Sequence, residues 1–392
     1  MTQPIGSIFD YLAPLQNAVD EIANTWRPDD PSYRIDVYRQ IMMQLSSGYF
    51  SFFHADAAHP DWAPLWNPVY TLQPNPDDIY IQSPISPDCR YLVRGTRGTV
   101  KMITFNTMMN NAGYPGPVDM TGEQYSDLDD RTLQIEADGT FEILLSAQKP
   151  EGHTGNWLQI KPKATMLMIR LRSYDWVNEI DPTLTIENLD PVPPKARLTP
   201  EEIIERIDHM AQMPARATKL FYWMQNQVKD EGGINVFVPA PISGALSQQV
   251  YVPAVYEFAP DEALIIETEI PKTMHYWNFQ LNDPYYNAVE FVYRLSSTNG
   301  HFAKLSSDGK FRAVISLEDP GVPNWLDPAG FTEGTIYGRW YDADSCPTPT
   351  LKRVKFSELR DHLPADTPVV SPEERAEELR QRVRGCQKRK RW

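Results

Sequence analysis

Asp138-Gly139-Thr140-Phe141-Glu142-Ile143-Leu144-Leu145-Ser146 and Asp308-Gly309-Lys310-Phe311-Arg312-Ala313-Val314-Ile315-Ser316 are the two stretches that decide the fold. Each opens on Asp-Gly, the dipeptide of a tight hairpin turn, and runs on as a β-strand pattern. The landmarks around them recur in the same order. Asn156-Trp157-Leu158 follows the first Asp by 18 residues, and Asn324-Trp325-Leu326 follows the second by 16. Arg172-Ser173-Tyr174-Asp175 then lies 16 residues after the first Asn, and Arg339-Trp340-Tyr341-Asp342 lies 15 after the second. Upstream, Pro87-Asp88 and Pro260-Asp261 precede the strand-like runs 102–108 and 275–281. A conserved order with near-constant spacing marks a duplication. No alternation of strands and helices appears within either copy, so the copies read as antiparallel layers. The predicted fold is mainly β: two homologous jelly-roll-like antiparallel β-sandwich units with helical N-terminal, linker and C-terminal segments.

Working outward, helical patterning fills 1–65. Ile8, Leu12, Leu15, Val19 and Ile22 fall at helical spacing and predict one helix ending near Trp26-Arg27-Pro28. A second helix is expected from about Pro31 to Phe53, with Tyr33, Val37, Ile41, Leu45 and Tyr49 as an apolar core stripe. Unit 1 is assigned to 66–190 and a helical linker to 191–235. That linker opens on Thr199-Pro200-Glu201-Glu202, a capping box with proline in the first turn, and stops at Gly232-Gly233. Unit 2 is assigned to 236–365 and a C-terminal helix with a basic tail to 366–392, starting at Ser371-Pro372-Glu373-Glu374. Seven Lys or Arg lie between Arg380 and Arg391, and the tail reads as a frayed, solvated end.

The 392 residues carry a net charge of −15, which argues against a nucleic-acid surface. Three scattered cysteines (Cys89, Cys346, Cys386) form no ligand or disulfide pattern. The start of the chain has no basic and apolar leader pattern, and no apolar run of about 18 residues occurs. These features predict a cytoplasmic protein without a membrane span; homo-oligomerisation stays open.

At Asn75-Pro76-Asp77-Asp78-Ile79-Tyr80, Gly155-Asn156-Trp157, Trp277-Asn278-Phe279-Gln280-Leu281 and Asp319-Pro320-Gly321-Val322-Pro323-Asn324-Trp325-Leu326-Asp327 the sequence resembles a widespread bacterial family of uncharacterised proteins. The resemblance covers roughly residues 60–360. It implies paired jelly-roll-like sandwiches similar to those of peptide N-glycosidases, and it assigns no reaction.

Chemistry-bearing residues are therefore read one by one. The histidines have no partners at metal-ligand spacing, so no metal site is expected, although Asp77-Asp78 and Asp129-Asp130 suit either turns or Ca²⁺. Nucleophile elbows, phosphate loops and dinucleotide fingerprints are missing, so no cofactor is expected; a flavin site, which often has no signature, stays open. Asp319 and Asp327 flank a stiff Pro-Gly-rich loop and suit either an acid–base pair or turn caps. Arg172 and Arg339 occupy equivalent places, three residues before an Asp. Each is either locked to that Asp or aimed at a ligand. Alternation puts Trp277, Phe279 and Leu281 on one strand face and Asn278, Gln280 and Asn282 on the other, which is either wet or reads a hydrogen-bonding ligand. The resulting expectation is a cofactor-independent hydrolase or lyase acting on a small molecule, a glycoside or another hydroxylated compound. Asp319, Asp327, Asp77 and Tyr80 would carry the chemistry, and Asn75, Trp277, Asn278, Gln280, Trp325, Arg339 and Arg172 would hold the substrate. The alternative is a non-catalytic protein that binds carbohydrate or another protein.

Overall fold

Phe141, Ile143 and Leu145 alternate with polar or half-buried neighbours after the first Asp-Gly turn; after the second, Phe311, Ala313 and Ile315 share one face, with Arg312 half-buried and Val314 buried on the other. That alternation turns one strand face inward in each copy, and a computed structural model of the chain shows what it packs against. The structure describes residues 6–23, 30–66, 69–109, 126–239 and 246–389. Unit 1 contributes β1 (Ala63–Pro64), β2 (Asp78–Pro84), β3 (Tyr91–Thr96), β4 (Met102–Met108), β5 (Ser126–Asp129), β6 (Thr140–Ser146), β7 (Asn156–Gln159), β8 (Met166–Arg172) and β9 (Thr183–Asn188). Unit 2 contributes β10 (Val236–Phe237), β11 (Gln249–Glu257), β12 (Glu262–Thr268), β13 (Met274–Asn282), β14 (Ser297–Asn299), β15 (Phe311–Ile315), β16 (Trp325–Leu326), β17 (Glu333–Ala343) and β18 (Thr350–Lys355).

The two units share one topology. Their outer sheets run β7-β6-β3-β9 and β16-β15-β12-β18, and their inner sheets run β1-β2-β8-β4-β5 and β10-β11-β17-β13-β14. The second order is the first with every label advanced by nine, down to a short parallel pair, β6/β7 and β15/β16, in otherwise antiparallel sheets. Each unit closes on its own apolar core. Ile79, Phe105, Phe141, Ile143, Ile169 and Leu171 fill the first. Phe279, Phe311, Ile315, Ile336 and Trp340 fill the second.

The twin Asn-Trp-Leu segments explain the parallel pairs. Asn156 donates through Nδ2 to the Gln134 carbonyl at 2.8 Å and the Glu142 carbonyl at 2.9 Å, while its Oδ1 accepts from the Gln134 amide. Asn324 makes the same three bonds, donating to Lys304 and Arg312 carbonyls at 2.7 Å each and accepting from the Lys304 amide. One side chain thus stitches the Asp-Gly hairpin to the strand that leaves it. The hairpins match as well: Gly139 at φ 87° and Gly309 at φ 79° take the left-handed turn position that side chains resist.

Helices α1 (Ile8–Tyr11), α2 (Pro14–Ala23) and α3 (Pro31–Phe52) precede unit 1, α4 (Pro200–Gly232) joins the units, and α5 (Pro372–Lys388) follows unit 2. Two expectations are corrected here. The first predicted helix is divided, because Pro14 lacks the N–H that a continuing helix needs and starts α2 instead. Its expected end at 26–28 lies outside the described residues. On α3, Val37 and Ile41 are buried against α2 and Tyr285, but Tyr49 is exposed at the far end of the expected stripe. Among the described residues no helix is long and apolar enough to cross a membrane.

Since Asn156 and Asn324 do the same work, Asn156→Ala and Asn324→Ala should destabilise the fold to a similar degree. The expected loss is about 1–3 kcal/mol each, read by chemical denaturation; a large cost at one position alone would contradict the shared role.

Candidate functional site

The inner sheets turn their polar faces toward each other. On β2, β4 and β8, Ile79, Ile103, Phe105, Ile169 and Leu171 go to the unit 1 core. By alternation Asp78, Tyr80, Met102, Thr104, Asn106, Arg170 and Arg172 face the other way. On β11, β13 and β17 the same rule sends Trp277, Phe279, Ile336 and Trp340 to the unit 2 core and Tyr251, Tyr276, Asn278, Gln280, Tyr337 and Arg339 to the opposite face. Met102 packs with Tyr276 and Tyr341 across the junction, and Arg172 donates to Gln249 Oε1 at 2.9 Å. A polar seam therefore lies between the units.

Its centre is the Asn75-Pro76-Asp77-Asp78 turn. Asp77 Oδ2 accepts from the Tyr276 hydroxyl at 2.6 Å, and its Oδ1 accepts from Asn299 Nδ2 at 2.7 Å and Trp176 Nε1 at 2.8 Å. Asn75 donates to the Tyr276 hydroxyl and accepts from Asn278 Nδ2, both at 2.8 Å. Burial pushes the Asp77 carboxyl up from its ordinary range, against the three donors, which favour the ionised form. Burial would do the same to Asp78, but Arg172 grips both carboxylate oxygens at 2.5 and 2.7 Å and brings it below that range. The Arg172 guanidinium also lies 4.2 Å from the Tyr276 ring centre.

A second cluster adjoins the first. Arg339 donates to Gln280 Oε1 at 2.7 Å, Asn278 Oδ1 at 3.3 Å and Gln73 Oε1 at 3.2 Å. It lies 5.5 and 5.8 Å from the Tyr251 and Tyr337 rings. Arg170 bonds Asn106 Oδ1 and lies 5.7 Å from the Tyr80 ring. The chain that brings Trp66 to the Tyr80 ring and Gln73 to Arg339 is strained: Trp66, Tyr70, Leu72 and Gln73 all take positive φ, from 47° to 64°. Each such residue costs about 1–2 kcal/mol, and such strain gathers at ligand clamps and active sites.

The amide face of β13 is thus neither wet nor vacant: Asn278, Gln280 and Asn282 are buried, with partners on Asn75, Pro74, Arg339 and Thr335. The expected locks of Arg172 and Arg339 to the Asp three residues on are corrected. Successive strand positions alternate faces, so residues three apart point to opposite sides, and the partners are Asp78 and a set of amides instead.

Other sequence-derived candidates lie elsewhere. Trp277 faces the unit 2 core, its ring 4.9 Å from Phe311. Asp319 accepts from the Gly321 amide and from Arg375 of α5 at 2.9 and 3.1 Å, while Asp327 is held by Arg294 at 2.8 Å and by the Ala329 amide. Trp325 sits under Arg375 and donates to the Ser316 carbonyl. Asn75, Asp77, Tyr80, Asn278, Gln280, Arg172 and Arg339 come together in the seam; Asp319, Asp327, Trp277 and Trp325 do not join them.

Within its described residues the basic tail is not a frayed end, because Arg382 and Arg389 are buried, while Arg380, Arg384 and Lys388 stay exposed. Arg382 is buried, donates to Phe291 and Ser297, and lies 4.5 Å from the Trp176 ring centre. Arg389 donates to the Asp77 carbonyl at 2.7 Å and the Leu171 carbonyl at 3.1 Å. Lys390, Arg391 and Trp392 lie outside the described residues. Beside α5 a groove of about 1140 Å³ is lined by Asp175, His301, Arg312, Asn324 and Arg375 among others. Its arginines are already paired, Arg375 with Asp319 and Glu378 and Arg312 with Asp308 and Glu267.

Sequence reasoning missed Tyr276, Trp176, Asn299, Asp78, Arg170 and Thr104. A signal existed for two. Tyr276 shares the alternating face of Asn278, and Arg170 shares that of Arg172 inside an otherwise apolar strand. Among the described residues, no group of three or more His, Cys, Asp or Glu is placed to hold a metal ion.

Two outcomes follow from this geometry. Tyr276→Phe removes the donor to Asp77 and the acceptor of Asn75, both buried, and should cost about 2–5 kcal/mol in a denaturation experiment. At the end of β13, burial raises the Asp283 carboxyl to about 6 despite hydrogen bonds from Asn287 and Tyr285. A folded-state pKa above the unfolded one contributes stability that is full below about pH 4 and lost as the pH rises through about 6. Asp283→Asn should therefore gain on the parent protein by roughly 2 kcal/mol between pH 4 and pH 7. An unchanged difference across that interval would contradict the assignment.

Comparison with known proteins adds a family without an assigned activity. Residues 82–175 match a family described as protein of unknown function (DUF1214). The structure is similar to that of an uncharacterized protein from Burkholderia cenocepacia, with 28% identity and a TM-score of 0.81, covering 89% of this chain and 96% of that one. A protein from Vibrio parahaemolyticus aligns with 13% identity and a TM-score of 0.44, covering 82% of this chain and 100% of that one. No curated protein matches the chain.

Proposed function

We propose that the chain binds a hydroxylated small molecule in the seam between its two sandwiches. The observation that supports this is the convergence of Asn75, Asn278, Gln280, Arg170 and Arg339 with Tyr80, Tyr251 and Tyr337, drawn from both units and met by Gln73 and Trp66 of a strained segment. Amides and guanidinium groups read hydroxyls through hydrogen bonds, and tyrosine rings cover the flat faces of a sugar or polyol. A glycoside fits that description.

A second reading, a cofactor-independent hydrolase or lyase, is favoured by one feature: Asp77, a buried carboxyl raised above its ordinary range, bonded to the Tyr276 hydroxyl. Perturbed carboxyls of this kind gather at acid–base sites. Asp77 also joins the units, accepting from Tyr276 and Asn299 of unit 2. Asp319 and Asp327 are weaker acid–base candidates, because each already sits against an arginine.

Thermal-shift screening of the full chain with sugars, sugar acids and polyols tests the binding reading. A stabilising ligand is expected, and Asn278→Ala should weaken it about tenfold. A ligand unaffected by Asn278→Ala and by Gln280→Ala would place binding elsewhere. For the catalytic reading, any compound that binds is followed for product formation. Asp77→Asn should then abolish turnover while ligand stabilisation persists; turnover that survives Asp77→Asn would end it.

A further inference from the structure

The charges in the seam do not balance. Arg170, Arg172 and Arg339 lie there, all buried, against the carboxyls of Asp77 and Asp78; Arg172 takes both oxygens of Asp78, and the side-chain donors to Asp77 are the neutral Tyr276, Asn299 and Trp176. The side-chain partners of the other two are neutral amides: Asn106 for Arg170, and Gln280, Asn278 and Gln73 for Arg339. Both guanidinium groups nevertheless lie close enough to Asp78 and Tyr80 to favour their ionised forms. A buried cation needs a counter-charge, since desolvation is repaid only by opposite charge and saturated hydrogen bonds.

Two further observations point at the same place. The Thr104 hydroxyl is fully buried with no hydrogen-bond partner among the described residues, and Thr104 stands directly opposite Arg170 in the β4–β8 register. Arg170 keeps 8% of its surface and Tyr251 9%, while Arg339 keeps 3% and Thr104, Tyr276 and Asn278 none, so the seam is slightly more open at Arg170 and Tyr251. A guanidinium carries five N–H donors in one plane, a shape that matches the oxygens of a carboxylate, sulfate or phosphate.

We infer that the seam holds the oxyanion of a small molecule between Arg170 and Arg339, with the Thr104 hydroxyl as a neutral donor. This inference rests on the seam being the binding site and narrows its ligand to an acid: a carboxylic acid, a sulfate ester or a phosphate ester. The tyrosines beside the two arginines then cover the remainder of the molecule. Arg172 and Asp78 are the internal pair that keeps β2 and β8 in place.

Isothermal titration of the full chain with sodium phosphate, sodium sulfate and sodium benzoate tests the inference, with ionic strength held by sodium chloride and glucose as the neutral probe. At least one oxyanion should bind at millimolar concentration or below, and Arg339→Gln or Arg170→Gln should weaken it about ten- to a hundred-fold. Thr104→Val, which keeps shape and charge, should weaken it less and serves if the arginine variants do not fold. If all three oxyanions fail to bind the parent protein, the inference is overturned. If glucose binds, Asn278→Ala removes that binding and Arg339→Gln does not, the seam stands as the site and the oxyanion falls. Oxyanion binding indifferent to Arg170→Gln, Arg339→Gln and Asn278→Ala alike would overturn both.

Discussion

Asp77 is the carboxylate on which the arrangement of this chain turns. It is buried, so its two oxygens must find every donor they need inside the protein. They find them on Trp176 of unit 1 and on Tyr276 and Asn299 of unit 2. Those donors are in place only when the two sandwiches meet in one register. An apolar junction would tolerate sliding; a junction whose amides and carboxylates have named partners does not. Asn75 to Asn278, Arg172 to Gln249 and Tyr341 to Asp129 are further bonds of the same kind. The C-terminal Arg389 then bonds the backbone carbonyls of Pro76, Asp77 and Leu171, so the last described residue of the chain secures the turn at its centre.

Duplication explains how such a seam arises. Each unit places its apolar faces between its own two sheets, and the inner sheets are left with one polar face each. Two related units then meet through those faces. What both copies retain is architectural: the Asp-Gly turns, the Asn156 and Asn324 bridges and the parallel strand pairs. Arg172 and Arg339, at equivalent places, are shared by the seam, and the rest of its polar lining differs between the copies. Unit 1 supplies the Asn75–Asp78 turn and the Arg170–Arg172 pair, and unit 2 supplies the β13 amides and a single arginine, Arg339.

The duplication was legible because it rests on short-range chemistry. Asp-Gly forces a turn, and alternation selects a face, wherever the segment ends up. The loop at 319–330 was legible as rigid but not as to purpose. Asp319 meets Arg375 across 56 residues and Asp327 meets Arg294 across 33, and nothing in the local sequence announces either pairing. The fate of the basic tail was hidden for the same reason. Among seven cationic residues within twelve positions, Arg382 and Arg389 look solvated until Trp176 and a row of carbonyls are brought up to them by the fold. Alternation assigned the amides of β13 to one face correctly, but only the tertiary fold decides whether that face meets water, a ligand or a second sheet.

The placement of charge gives the seam its meaning. The chain carries −15 overall, so its surface repels small acids at long range, although salt screens that repulsion beyond about 8 Å. At the centre of the seam the balance is reversed among the described residues, with three guanidinium groups around the carboxyls of Asp77 and Asp78, of which Asp78 is ion-paired. An acid is therefore favoured only after it has entered, where the low local dielectric strengthens its attraction to Arg170 and Arg339. Affinity from that source requires the ligand's oxyanion to be seated between them, with the rest of the molecule against tyrosine rings. Selection would then fall on shape and charge together. A free inorganic ion gains the charge term alone, and a neutral sugar gains the ring contacts and hydrogen bonds without it.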